Sequence, residues 1–168
     1  MKIYPLLLIC LFNLFFSAGL SAQNLFTEKI DHVCDISNFC VDCGDPKATC
    51  DQFTLDYIST MINHRYNFKG GSAEITFQVL VDSTGFCCVL SHTDVTHSQL
   101  TGDLIRFLNG NLWRPAIVNG KPVDASVDVV FKIENGKISG EMKRMDLAEL
   151  KDPGKPTIYN KEYQYTNP

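Results

Sequence analysis

Cysteine, histidine and aspartate are the residue types whose spacing in this chain could do chemistry. Cys34, Cys40, Cys43 and Cys50 follow the spacing C-x5-C-x2-C-x6-C, and Cys87 and Cys88 stand side by side further on. Four thiolates could close a tetrahedral zinc site, but that frame usually has two CxxC knuckles and only Cys40-Val41-Asp42-Cys43 supplies one. Disulfides are the competing chemistry, with 15 connectivities open to six cysteines. A catalytic dithiol would place its CxxC at the start of an apolar helix, and no apolar helical pattern directly follows Cys43. Neighbouring strand residues point to opposite faces, so Cys87 and Cys88 are poor partners for each other. At least one of them is expected to staple residues 34–50 to the strand that carries the pair. His92, Asp94 and His97 form the other cluster. It could bind a metal, yet Asp94, Thr96 and Ser98 read more simply as caps of the helix that follows.

No nucleophile elbow, glycine-rich phosphate loop or HExxH motif is present. The chain is therefore expected to be no enzyme and to carry no cofactor or metal. Formal net charge is −4, which argues against nucleic acid as a partner, since its binders present basic patches.

The choice between metal and disulfides turns on compartment. Lys2, an apolar run from Leu6 to Phe16 broken by Asn13, and the small residues Ser17 to Ala22 have the layout of a secretory signal peptide. Cleavage is expected after Ala22, because the apolar run is shorter than the roughly 20 residues of a spanning helix. Cys10 does not fit a lipoprotein signal, since bulky Ile9 precedes it. Cleavage removes one lysine and no acid, so 15 basic against 19 acidic residues becomes 14 against 19. A periplasmic or secreted location is oxidising, so Cys34, Cys40, Cys43, Cys50, Cys87 and Cys88 are read as a disulfide framework.

The elements that must position these residues follow from the apolar period. Residues 23–50 form a Cys-rich extension too short to bury a core of its own. Leu55, Ile58, Met61 and Ile62 then share one helical stripe, and Gly70-Gly71 is expected to end that helix. Ala73, Ile75, Phe77, Val79 and Val81 alternate with Glu74, Thr76, Gln78 and Leu80, predicting a strand with one core face and one mostly wet face. Asp82-Ser83-Thr84-Gly85 reads as a hairpin loop and residues 86–93 as the return strand. Leu100, Leu104, Phe107 and Leu108 mark a second helix ending at Asn109-Gly110. Trp113 reads as a lid on the core. After it comes an Asn119-Gly120 reversal and a long strand with Val127, Val129, Phe131 and Ile133 inward. Glu134-Asn135-Gly136-Lys137 is a tight turn opening a short fourth strand at Ile138.

Three stretches in order resemble the C-terminal domain of TonB-type energy transducers, over about residues 53–138. They are Gly71 to Gly85, Trp113-Arg114-Pro115-Ala116, and Asn119-Gly120-Lys121-Pro122-Val123 leading into the last strand. The resemblance implies an α+β fold, a small antiparallel sheet of about three strands packed against two helices, here with the Cys-rich extension. The layout is then residues 1–22 as signal peptide, 23–50 as extension, 51–140 as the TonB-like domain and 141–168 as a polar flexible tail.

The resemblance also implies function: a protein-interaction module of the cell envelope that binds an extended segment of an outer-membrane transporter or other envelope protein by strand addition. The edge expected to accept it is the last long strand, through Ser126, Val127, Asp128, Val129, Val130, Phe131 and Lys132. The same edge could instead simply close an intramolecular sheet, or pair two copies into a homodimer. Family members commonly carry Tyr-Pro before the first hairpin strand, where this chain has Tyr66-Asn67. A transducer also keeps a membrane anchor and a long proline-rich spacer, and neither is evident here. A membrane-anchored transducer is one alternative reading, and a Cys-rich metal-binding or thiol-active secreted protein is another.

Overall fold

The structure is a computed structural model that describes residues 25–30, 38–109, 111–144 and 165–166. The expected signal peptide, Cys34 and most of the expected tail lie outside these residues. In chain order the elements are β1 (Glu28–Lys29), β2 (Cys40–Val41), α1 (Gln52–Arg65), β3 (Asn67–Phe68), β4 (Ala73–Val81) and β5 (Cys87–His92). Then come α2 (Gln99–Asn109), β6 (Ala116–Val118), β7 (Lys121–Val123), β8 (Ala125–Glu134), β9 (Lys137–Lys143) and β10 (Tyr165–Thr166). The fold is α+β. Its sheet is larger than three strands: six strands join in the order β1-β5-β4-β8-β2, with β9 also on β8. It is also mixed, because β2 runs parallel to β8 while the other pairs are antiparallel.

The core face follows the alternation read from the sequence. Phe77, Val79, Val81, Val127, Val129 and Phe131 are fully buried there, with Leu55, Ile58 and Ile62 of α1 and Leu104 and Leu108 of α2 in the same cluster. Trp113 joins that cluster as the expected lid. Tyr66 OH donates to Asp103 Oδ2 at 2.6 Å, and Arg65 pairs with the same oxygen at 3.1 Å, tying α1 to α2. Two details of α1 differ from expectation. The helix ends at Arg65 with Tyr66 extended, before Gly70-Gly71, and Met61 is exposed while Ser59 is buried and donates to Leu55 O.

Turns obey their residue types. Asp82 Oδ1 accepts from Thr84 N–H, Thr84 Oγ1 and Phe86 N–H, and Gly85 at φ 87° packs so close to Trp113 O that a Cβ would not fit. Asn119-Gly120 and Asn135-Gly136 all have positive φ, the conformation of the tight two-residue hairpin. The short fourth strand expected at Ile138 is seven residues long, Lys137–Lys143. Tyr165–Thr166 pair antiparallel with Asn67–Phe68.

The face opposite the helices corrects the sequence reading most. It is not wet. Gln78, Ser91 and Ser126 are fully buried, and Cys88, Thr76 and Asp128 nearly so. The N-terminal extension accounts for this. Leu25 N–H donates to Gln78 Oε1 (2.9 Å) and Phe26 N–H to Ser91 Oγ (3.3 Å). Ser91 Oγ donates to the same Gln78 oxygen, and Gln78 Nε2 to Ser126 Oγ. Polar side chains survive burial here because they bond one another and the backbone laid over them. The extension supplies strands on both sides of the sheet, β1 beside β5 and β2 beside β8.

Candidate functional site

The strand expected to accept a partner is central. β8 pairs along its length with β4 on one side, and on the other with β2 at its start and β9 over the rest. Ser126, Val127, Asp128, Val129, Val130 and Phe131 are buried, and Lys132 is half-buried against Glu141 of β9. Their backbone groups are spent within the sheet, so neither strand addition nor edge-to-edge dimer pairing can use them. The outer edges of β9 and β1 are guarded. Asn63 of α1 donates to Ile138 O (2.9 Å) and accepts from Ile138 N–H (2.8 Å), so a side-chain amide stands where another strand would bond. Gln52 Nε2 donates to Gly140 O beside it. At the other edge β1 is two residues long and carries Lys29, both features that discourage further pairing.

The cysteines divide by position. Cys40 and Cys43 form a disulfide, and Cys88, on the buried polar face, is also disulfide-bonded. Cys50 and Cys87 are free, so the expected framework does not include them. Cys87 faces the core and donates its S–H to Leu108 O (3.0 Å), while Cys50 Sγ lies 3.8 Å from Met142 Sδ. Burial pushes the Cys50 thiol up to about 11 and the Cys87 thiol up to about 12.

Within the His92, Asp94 and His97 cluster, Asp94 organises the cap of α2 and the two histidines stand apart from it. Asp94 accepts from Thr96, Ser98 and Thr101, and Ser98 Oγ in turn accepts from Thr101 N–H at the start of α2. Burial opposes ionisation of Asp94, but these hydrogen bonds outweigh it and hold its carboxyl well below the usual range. His92 is buried against Phe77, and that burial holds its pKa low, against the pull of Asp94 and Glu28. His97 sits 3.3 Å from Glu28 Oε2.

Two surfaces are left that could act. One is a groove of about 680 Å³ whose lining includes Phe39, Cys40, Cys43, Ser83, Val118, Pro122, Val123 and Asp124. Behind it the Asp42 carboxylate, inside the CxxC turn, is held by Lys47 (2.6 Å) and Arg144 (3.3 Å). The other is apolar. Phe53 is 78% exposed, and Tyr57 and Met61 follow it at one-turn spacing on the outer side of α1. Phe86 and Leu112, bridge partners, are also exposed, and the Arg114–Asp51 ion pair links their segment to the start of α1. The sequence carried the signal for this band, three large apolar residues at i, i+4 and i+8 beside the buried stripe.

No family model matches the chain, and no characterised protein or solved structure does. Among the described residues no helix is long and apolar enough to cross a membrane.

Proposed function

We propose that this chain is a protein-interaction module of the cell envelope, acting in the periplasm or outside the cell, and that it grips its partner through the apolar band on α1 and the Phe86–Leu112 bridge. The observation that carries this reading is the exposure of five large apolar side chains, Phe53, Tyr57, Met61, Phe86 and Leu112, on a chain that buries even its polar sheet face. Burying one such side chain contributes roughly 1.5–3 kcal/mol, so a partner covering several gains enough to offset its ordering cost. The TonB resemblance supports the envelope setting and an outer-membrane transporter as the kind of partner. Strand addition at β8 is not part of the reading.

Site-directed photo-crosslinking tests it. A crosslinking residue at Tyr57 captures one envelope protein, while the same residue at Lys29, exposed on β1 at the far edge of the sheet, does not. The Phe53→Ser/Leu112→Ser double variant weakens that capture at least severalfold while leaving the melting temperature in place. Equal capture from both positions, or none, overturns the reading.

A further inference from the structure

We propose that the Cys40–Cys43 disulfide is a thiol–disulfide exchange site whose adjoining groove seats a cysteine-bearing, apolar extended segment of a partner protein. The proposal is independent of the band on α1. Both cysteines are half-buried and line the groove, whereas the bonded Cys88 is only 2% exposed. Phe39, Val118, Pro122 and Val123 make the groove wall apolar. A segment lying there would exclude water from the sulfurs while presenting its own.

The bond is not what holds its turn in place. Cys40 and Asp42 N–H groups donate to Asp124 O and Ser126 O, fixing β2 on β8. Asp45 N–H donates to Ile117 O and Ile117 N–H to Pro46 O, fixing the turn on β6. Gly44, at φ 92°, is packed so that a Cβ would stand 3.0 Å from Ala116 Cβ. The Asp42 carboxylate is clamped by Lys47 and Arg144. A disulfide of sequence separation 3 also closes a short loop, which removes little entropy from the unfolded chain. The bond can therefore open and close within a frame that stays put.

The exchange balances as follows. A partner thiolate attacks Cys43 Sγ, a new S–S bond joins the partner to Cys43, and the Cys40–Cys43 bond breaks with its electron pair on Cys40 Sγ. Cys40 takes a proton from water, and Asp124 O, 3.5 Å away, accepts its S–H. A second thiolate of the same partner then attacks the partner sulfur of the mixed disulfide. That step forms the partner's disulfide and expels Cys43 as a thiolate, which is protonated in turn. Two electrons pass from the partner dithiol to this chain.

The test holds the oxidised full chain in glutathione buffers of graded poise, then alkylates free thiols and maps them by mass. Cys40 and Cys43 gain label together at a poise that leaves Cys88 unlabelled and the near-UV circular dichroism unchanged. In Cys40→Ser, Cys43 retains one glutathione as a mixed disulfide. Pro122→Glu, on the groove wall, slows exchange with a synthetic dithiol peptide flanked by Phe and Val about tenfold, the effect of losing one good interface contact. Its exchange with free glutathione is unchanged. Labelling of Cys40 and Cys43 only together with Cys88 and with loss of the near-UV signal overturns the proposal, since the bond is then a structural staple. Equal peptide rates for wild type and Pro122→Glu overturn it as well. If Cys40→Ser does not fold, the wild-type poise series decides alone.

Discussion

The surroundings of Asp128 oppose its charge. It is buried, its Oδ1 has no hydrogen-bond partner, and burial pushes its pKa up to about 7 against the pull of Lys143, with Asp42 adding to the rise. The raised pKa means that the stability associated with the protonated form is complete below the unfolded value near 4 and is lost as pH climbs through 7. Asp128→Asn removes that titration. At about 1.4 kcal/mol per pKa unit, the variant's stability advantage over wild type grows by roughly 2–3 kcal/mol from pH 5 to pH 8. Thermal melts at the two pH values check this, and an advantage that stays constant would show that the carboxyl does not titrate in this range. Cys50 and Cys87 make the second prediction at this scale. Buried thiols with raised pKa are inert, so in the native chain at pH 8 they are alkylated only at the rate of unfolding, measured by mass against urea concentration. The split between Cys87 on the core face and Cys88 on the other was legible from strand alternation alone. The burial of Asp128 was not, because nothing local to it announces that a distant segment covers its face.

At the scale of elements, the hairpin β4–β5, both helices and the inward face of β8 were legible because each carries a clean apolar period. β9 was only half legible, and its weak signal caused the misreading of β8 as an edge. Its outward positions are Lys137, Ser139, Glu141 and Lys143, and its inward run includes Gly140, which leaves room for the Phe131 ring. A strand with glycine in place of an apolar residue has little period to read. Gly140→Val is expected to destabilise the chain, since even a Cβ there would stand 2.7 Å from Phe131 Cε1; overpacking of this kind typically costs about 1–3 kcal/mol. Asn63 tests the guarded edge. Asn63→Ala leaves Ile138 N–H and C=O without their amide partner and lowers stability by roughly 1–3 kcal/mol, two hydrogen bonds' net value. A urea midpoint that does not move would mean that the amide contributes nothing to holding α1 on β9.

For the whole molecule, the sequence conveyed an α+β domain with two helices and a Cys-rich lead, and it missed that the lead is part of the sheet. Two-residue strands such as β1 and β2 have no periodicity, and their partners lie far along the chain. A chain shortened to begin at residue 51 exposes Gln78, Ser91 and Ser126 and bares the β5 edge. It is expected to self-associate in sedimentation velocity at concentrations where the full chain stays monomeric, because an uncovered edge pairs with its like. A monomeric, equally stable short chain would show that the lead is dispensable for the fold.

The position of β2 also sets an order in time. Cys40 N–H donates to Asp124 O, 84 residues later, so this early strand is among the last that can settle. Contacts across such separations form slowly, because the intervening chain must first be closed into a loop. Until β8 has emerged and paired with β4, β2 has no seat, although β1 can already lie beside β5. The sheet is therefore completed late, once the backbone carbonyls of Asp124 and Ser126 are in place to receive β2.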